Sequence, residues 1–207
     1  MDLLRLEQHL KRRIAEYPPA AWRGKQNDAR DRPTNFIYDV RSWPDLLRRI
    51  DGEPESYQDY VVNRWYNAWS SKGAEELFCR HPGVVPAANY RDKEKDFSIR
   101  GIDFDLKLSV FPKGYPYPIE TARHNPKTLI NWLYANQSRQ GRFHLRNRLF
   151  IICYSTEGPD HHWKIKAEIV LIRIAIGAYM MRFSPDRLIE CQFDSGCALS
   201  DVIWVVK

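Results

Sequence analysis

Asp96-Phe-Ser-Ile-Arg-Gly-Ile-Asp-Phe-Asp-Leu-Lys-Leu-Ser-Val110 alternates with a period of two. Phe97, Ile99, Ile102, Phe104, Leu106, Leu108 and Val110 fall on one face, and Asp96, Ser98, Asp103, Asp105 and Lys107 on the other. Arg100-Gly101 reads as a two-residue turn, with the glycine supplying a positive φ, which pairs Ile99 with Ile102, Ser98 with Asp103 and Asp96 with Asp105. Two carboxylates placed opposite each other repel and perturb each other's titration, so the arrangement makes best sense with a cation between them. Lys107 lands beside the same place.

Outward from this hairpin, the chain reads as alternating helices and strands. Upstream, Tyr60, Val61, Trp65, Trp69, Ala74, Leu77 and Phe78 predict a helix over residues 57 to 80, with an interruption near Ser70 to Gly73. His81-Pro-Gly83 ends it, and residues 84 to 90 form a first strand. Downstream, Phe111-Pro-Lys-Gly-Tyr-Pro-Tyr-Pro118 forbids a regular element. This loop either stacks on a base or sugar or serves as a structural turn. Pro126 opens a helix to about residue 140, and Leu149 to Tyr154 is an apolar strand.

An acid, a short gap, then Asp-x-Lys on the next strand resembles the PD-(D/E)XK nucleases, the restriction-endonuclease-like superfamily. Asp96, Asp105 and Lys107 carry the match, and Lys95 stands where the family usually has proline. The resemblance covers roughly residues 57 to 155 and implies an α/β (α+β) fold. Its αβββαβ core would have a mixed central sheet flanked by helices. It further implies a Mg2+ site, with Mn2+ as a substitute, held by Asp96 and Asp105. Glu75, from the Ala-Glu of the preceding helix, completes that set. On the helical wheel Glu75 lies between Ala74 and Phe78 while Glu76 points toward solvent, although both can equally be exposed helix acids. Lys107 would position or help deprotonate the attacking water, or neutralise charge on the phosphate. Asp103 sits nearer the turn, opposite Ser98, and the two would support the ligands rather than bind metal.

Charge fits the same picture. The 207 residues carry a net charge of +6, with a pI near 9.1, which suits a polyanionic partner. Between Thr121 and Thr156 there is no acid, while Arg123, Lys127, Arg139, Arg142, Arg146 and Arg148 supply six positive charges, equal to the net charge of the chain. Such a segment suits the phosphate backbone of a nucleic acid, DNA being favoured. Arg139, Arg142, Arg146 and Arg148 are candidate contacts. Gln137 joins them, and Gln137 and Arg142 come first, because their position after the core helix resembles where the superfamily often places an auxiliary polar residue.

The remaining sequence sets bounds. A single domain is expected, with a helical extension at 1–55, the nuclease-like core at 56–155 and a helix plus strands at 156–207. Leu3, Leu6, Leu10 and Ile14 predict a helix over 2 to 16, residues 20 to 34 read as a polar loop, Phe36-Ile-Tyr as an extended piece, and Ser42-x-x-Asp45 as the cap of a helix through Ile50. Ile165, Ile169, Ile172, Ile176, Tyr179 and Phe183 form the stripe of one long helix, either core or the interface of a homodimer or partner protein. Two strands follow, near 188–193 and 202–206, at the sheet's edge or as an appendage.

Cys79, Cys153, Cys191 and Cys197 lack zinc-site spacing and read as reduced thiols of a cytoplasmic protein. The most apolar helical stretch, Ile165 to Met181, is broken by Lys166, Glu168 and Arg173, against a membrane span. No Walker loop, G-x-S-x-G or G-x-G-x-x-G occurs. The sequence favours a Mg2+-dependent DNA endonuclease of restriction or mobile-element-defence type. A catalytically inactive nucleic-acid-binding module and an interaction subunit of the same fold are the alternatives.

Overall fold

The computed structural model describes residues 1–17, 28–88, 95–137, 146–194 and 196–207. Six strands form one mixed sheet in the order β1-β2-β3-β4-β6-β5. β1 (Val84–Pro86), β2 (Phe97–Ile99) and β3 (Ile102–Val110) are an antiparallel meander, and β4 (Arg148–Tyr154) and β6 (Gly196–Val206) continue it in parallel. β5 (Ile189–Phe193) closes the far edge antiparallel to β6. The two C-terminal strands are therefore part of the main sheet, and β6 is interior to it. β6 can hold that place because Ala198, Val202, Ile203 and Val205 bury both of its faces.

Helices cover both faces. α4 (Glu55–Cys79) and α7 (Ile169–Arg182) pack on the face carrying Phe97, Phe104, Leu106, Leu149 and Ile203, and α1 (Leu3–Glu16) packs on those two helices. α5 (Ile119–His124) and α6 (Pro126–Gln137) cover the other, where Leu129, Ile130 and Leu133 meet Phe150, Ile152 and Val202. α2 (Asp28–Asp31) and α3 (Trp43–Ile50) complete the helices, and Ser42 caps α3 as its sequence predicts, its hydroxyl accepting from the Asp45 amide at 3.2 Å. Among the described residues no helix is long and apolar enough to cross a membrane.

Three local readings change. α4 runs unbroken through Ser70 to Gly73, and Gly73 lies under side chains of both α1 and α7. A Cβ there would lie 2.9 Å from Ile169 Cδ1 and 3.0 Å from Leu6 Cδ2. Gly73→Val is expected to cost about 1–3 kcal/mol by overpacking, measurable by urea unfolding. Phe36-Ile-Tyr is not extended but part of a 3-10 turn, Arg32–Tyr38. Arg64 of α4 imposes that shape, donating to the Asp31 carbonyl at 2.9 Å, to Asn35 Oδ1 at 3.1 Å and to the Thr34 hydroxyl.

The long C-terminal helix is two elements, a 3-10 turn at His162–Ala167 and then α7, parted at Glu168. Glu168 is drawn out of the helix by Lys11, 2.9 Å away, and by Lys207, while Glu7 of α1 accepts from the Val170 amide at 3.0 Å. The first turn of α7 is thus capped by a different helix. The whole isoleucine stripe, from Ile165 to Phe183, is buried in the core.

Candidate active site

The hairpin forms as its alternation dictates. Arg100 (φ 49°) and Gly101 (φ 84°) both take the left-handed region, the geometry of the tight turn that matches strand twist. Ile99 pairs with Ile102, Ser98 with Asp103 and Phe97 with Phe104. The paired register stops there. The Asp96 amide donates to the Phe104 carbonyl at 2.9 Å, and Asp96 Oδ2 accepts from the Leu106 amide at 2.7 Å. The carboxylate thus replaces a ladder carbonyl just where β2 ends, so Asp96 reaches past Asp105 as a main-chain cap instead of facing it squarely.

Asp105 and Lys107 project from β3 on the α6 side. Lys107 Nζ lies 2.6 Å from Asp105 Oδ1. The parallel register sets Arg148, first residue of β4, beside Asp105, and its Nε lies 3.2 Å from Oδ2. Arg148 is 8 % exposed and stacks on the Tyr134 ring, 4.8 Å from its centroid. Its guanidinium therefore neutralises Asp105 instead of lying free for a phosphate. Asn147 ties the same strand ends together: its carbonyl accepts from the Asp105 amide at 2.9 Å, and its side chain bonds the Asp103 carbonyl and the Leu199 amide. Sequence reasoning missed Asn147 and Tyr134 because the parallel pairing that makes them neighbours leaves no local pattern.

Glu75 reaches this region through packing. Phe78, one turn further along α4, stacks on Phe97 with centroids 4.8 Å apart, which fixes the helix beside the hairpin. Glu75 is half-buried and paired with Lys72 at 2.8 Å, whereas Glu76 turns away to Arg80 and the chain's amino group. The electrostatics are uneven. Burial pushes the Asp96 carboxyl up to about 6; the Leu106 amide opposes this, Asp105 adds to it, Lys107 opposes it and Glu75 adds a smaller push. Asp105 has two cationic partners, and Asp96 carries the uncompensated charge of the group.

The other candidates lie apart from this centre. Asp103 is exposed and paired with Lys95 at 2.9 Å, with Ser98 opposite it in the register. The Arg146 carbonyl accepts from the Tyr134 hydroxyl at 2.7 Å. Arg139, Arg142 and the side chain of Gln137 lie outside the described residues.

Among the described residues no three His, Cys, Asp or Glu side chains converge as a ready-made metal group. Asp96 and Asp105 nevertheless suit Mg2+ in donor chemistry. That ion takes oxygen ligands, commonly one or two carboxylates, with waters and substrate phosphate filling the remaining positions. Asp105 and Glu75 each add to the rise of the Asp96 carboxyl beyond what burial does, a repulsion that a cation among them would relieve. No family model, no curated protein and no solved structure matches the chain.

Proposed function

We propose that the chain is a Mg2+-dependent nuclease that hydrolyses phosphodiester bonds, acting on DNA as an endonuclease of restriction or mobile-element-defence type. The observation that carries this reading is the meeting of Asp96, Asp105 and Lys107 at the end of one hairpin, with Glu75 close enough to act on Asp96. The chain order α4, β1, β2, β3, α6, β4, with the short α5 inserted before α6, adds support, since it follows the order that the PD-(D/E)XK resemblance implies.

Asp96 and Asp105 would hold the ion, which supplies a more acidic bound water and neutralises charge on the phosphorane. Arg148 holds the Asp105 carboxylate in its direction. Lys107 presents its ammonium to the phosphate oxygen that gains charge as water adds to phosphorus and the leaving oxygen departs. Asp96 must be deprotonated to bind a cation, so the cation competes with the proton there and binds more tightly as pH rises. A cleavage screen of supercoiled, linear, single-stranded and RNA substrates with Mg2+ or Mn2+ tests the reading, and the absence of metal-dependent products from all of them would overturn it.

One observation favours a second reading, a nucleic-acid-binding module without catalysis. Both oxygens of Asp105 are occupied by side-chain cations. In that case a Mn2+ titration finds no site while DNA binding stays salt-sensitive.

A further inference from the structure

The loop after β3 plays no part in the chemistry above, yet it is built as a rigid aromatic unit. Tyr115 is buried, and its ring stands edge-on to Phe111 at 5.8 Å, to Tyr117 at 5.6 Å and to Trp132 at 6.1 Å. Its hydroxyl shares a hydrogen bond with the Thr128 hydroxyl at 2.5 Å. Gly114 lets the Trp132 ring close in, since a Cβ there would lie 3.3 Å from Trp132 Cζ2. Pro112, Pro116 and Pro118 fix three backbone φ angles of the loop. Tyr117 is therefore braced from behind and still 52 % exposed.

Position and charge give this ring a role. α6 packs on β6 and β5, and Asp105 and Lys107 of β3 share its side of the sheet. That face leads along the strand to Phe111, about 13 Å from Lys107 by strand rise. Phe111 packs in the same α6-side group as Tyr115 and Trp132, so catalytic candidates and aromatic loop share one side of the sheet. Glu120 is the one acid between Phe111 and Thr156. Arg123 and Lys127, on α5 and the first turn of α6, are exposed, and neither has an acidic partner among the described residues.

A fixed, half-exposed ring with unneutralised cations on the two helices that follow it has the two parts that unpaired strands need, a face for a base and a charge for its phosphate. Bases inside a duplex are stacked on one another and offer no free face. The geometry points to the 111–118 loop as a stacking platform for unpaired bases, which makes single-stranded nucleic acid, including overhangs and flaps, the substrate class of the neighbouring site. The word substrate rests on the nuclease reading; the binding does not.

The test is anisotropy of a labelled oligothymidylate of about twelve nucleotides on the full chain in EDTA, where cleavage plays no part. Tyr117→Ala is expected to weaken binding by roughly fivefold or more, and Tyr117→Phe to restore it, because the ring and not the hydroxyl stacks. The slope of affinity against salt should be unchanged in Tyr117→Ala and reduced by about 0.7 in Arg123→Gln. Unchanged binding in Tyr117→Ala, or a matching duplex that competes as well as the single strand, overturns the platform. Tyr117-dependent binding by a chain that cuts no substrate upholds the platform while sinking the nuclease reading.

Discussion

Lys107→Ala is expected to lower metal-dependent cleavage by about 100-fold or more, as loss of one fixed charge-stabilising group does in other hydrolytic sites, with the melting temperature almost unchanged. The Lys107 side chain is 42 % exposed, and its pairing with Asp105 is of the kind that contributes no more than about 1 kcal/mol to stability. Loss of activity in this variant therefore reports on chemistry. Asp105→Ala does not isolate chemistry in the same way. It would leave Arg148, whose side chain is 10 % exposed, without its carboxylate, a change that costs about 3–5 kcal/mol for a buried pair. A cleaving Lys107→Ala protein would remove the lysine from the mechanism.

Asp96→Asn is expected to make the protein more stable and less able to bind a divalent cation. The Asp96 carboxyl is raised from an ordinary 3.8 to about 6, chiefly by burial. A raised acid binds protons more tightly folded than unfolded, so its ionisation erodes stability as pH rises from 3.8 to about 6, and the loss persists above that. The shift corresponds to about 3 kcal/mol as an upper figure. Asparagine keeps an oxygen to accept from the Leu106 amide and discards the charge. In EDTA, urea unfolding should therefore show the variant ahead by about 1–3 kcal/mol at pH 8 and level with the parent near pH 4. A Mn2+ titration should show the parent's affinity falling below pH 6 and the variant weak throughout. A variant less stable than the parent at pH 8 would mean that the charge is compensated in a way the geometry does not reveal. The trade is the familiar one in which a strained functional group lowers stability.

The hairpin was legible because all that specifies it is local. Its alternation, the Arg100-Gly101 turn and the placement of Asp105 with Lys107 lie within fifteen consecutive residues. The Ser42 cap, the span of α1 and the start of α6 at Pro126 were legible for the same reason. What escaped depends on distant partners. Nothing near Phe36 announces that Arg64 will wind it into a 3-10 turn, and nothing near Gly73 says that two other helices will press against it. Arg148 shows the limit of counting charge. In sequence it is one more cation in an acid-free stretch, and the pairing of β4 with β3 turns it inward onto Asp105. Asp96 is a subtler case, since its neighbour was foreseen but its main-chain bond to Leu106 was not.

The cap that Glu7 places on α7 joins residues 163 apart in the chain. Contacts of such separation close late in folding, after the loop-closure entropy of most of the chain has been paid. They also tie α1 to α7 in the native state. Exposing the first amides of α7 requires α1 to lift from the surface, so the two helices open as one cooperative unit, and their protection from hydrogen exchange rises and falls together. The N-terminal helix, outside residues 57 to 155, is in this respect the latch of α4 and α7.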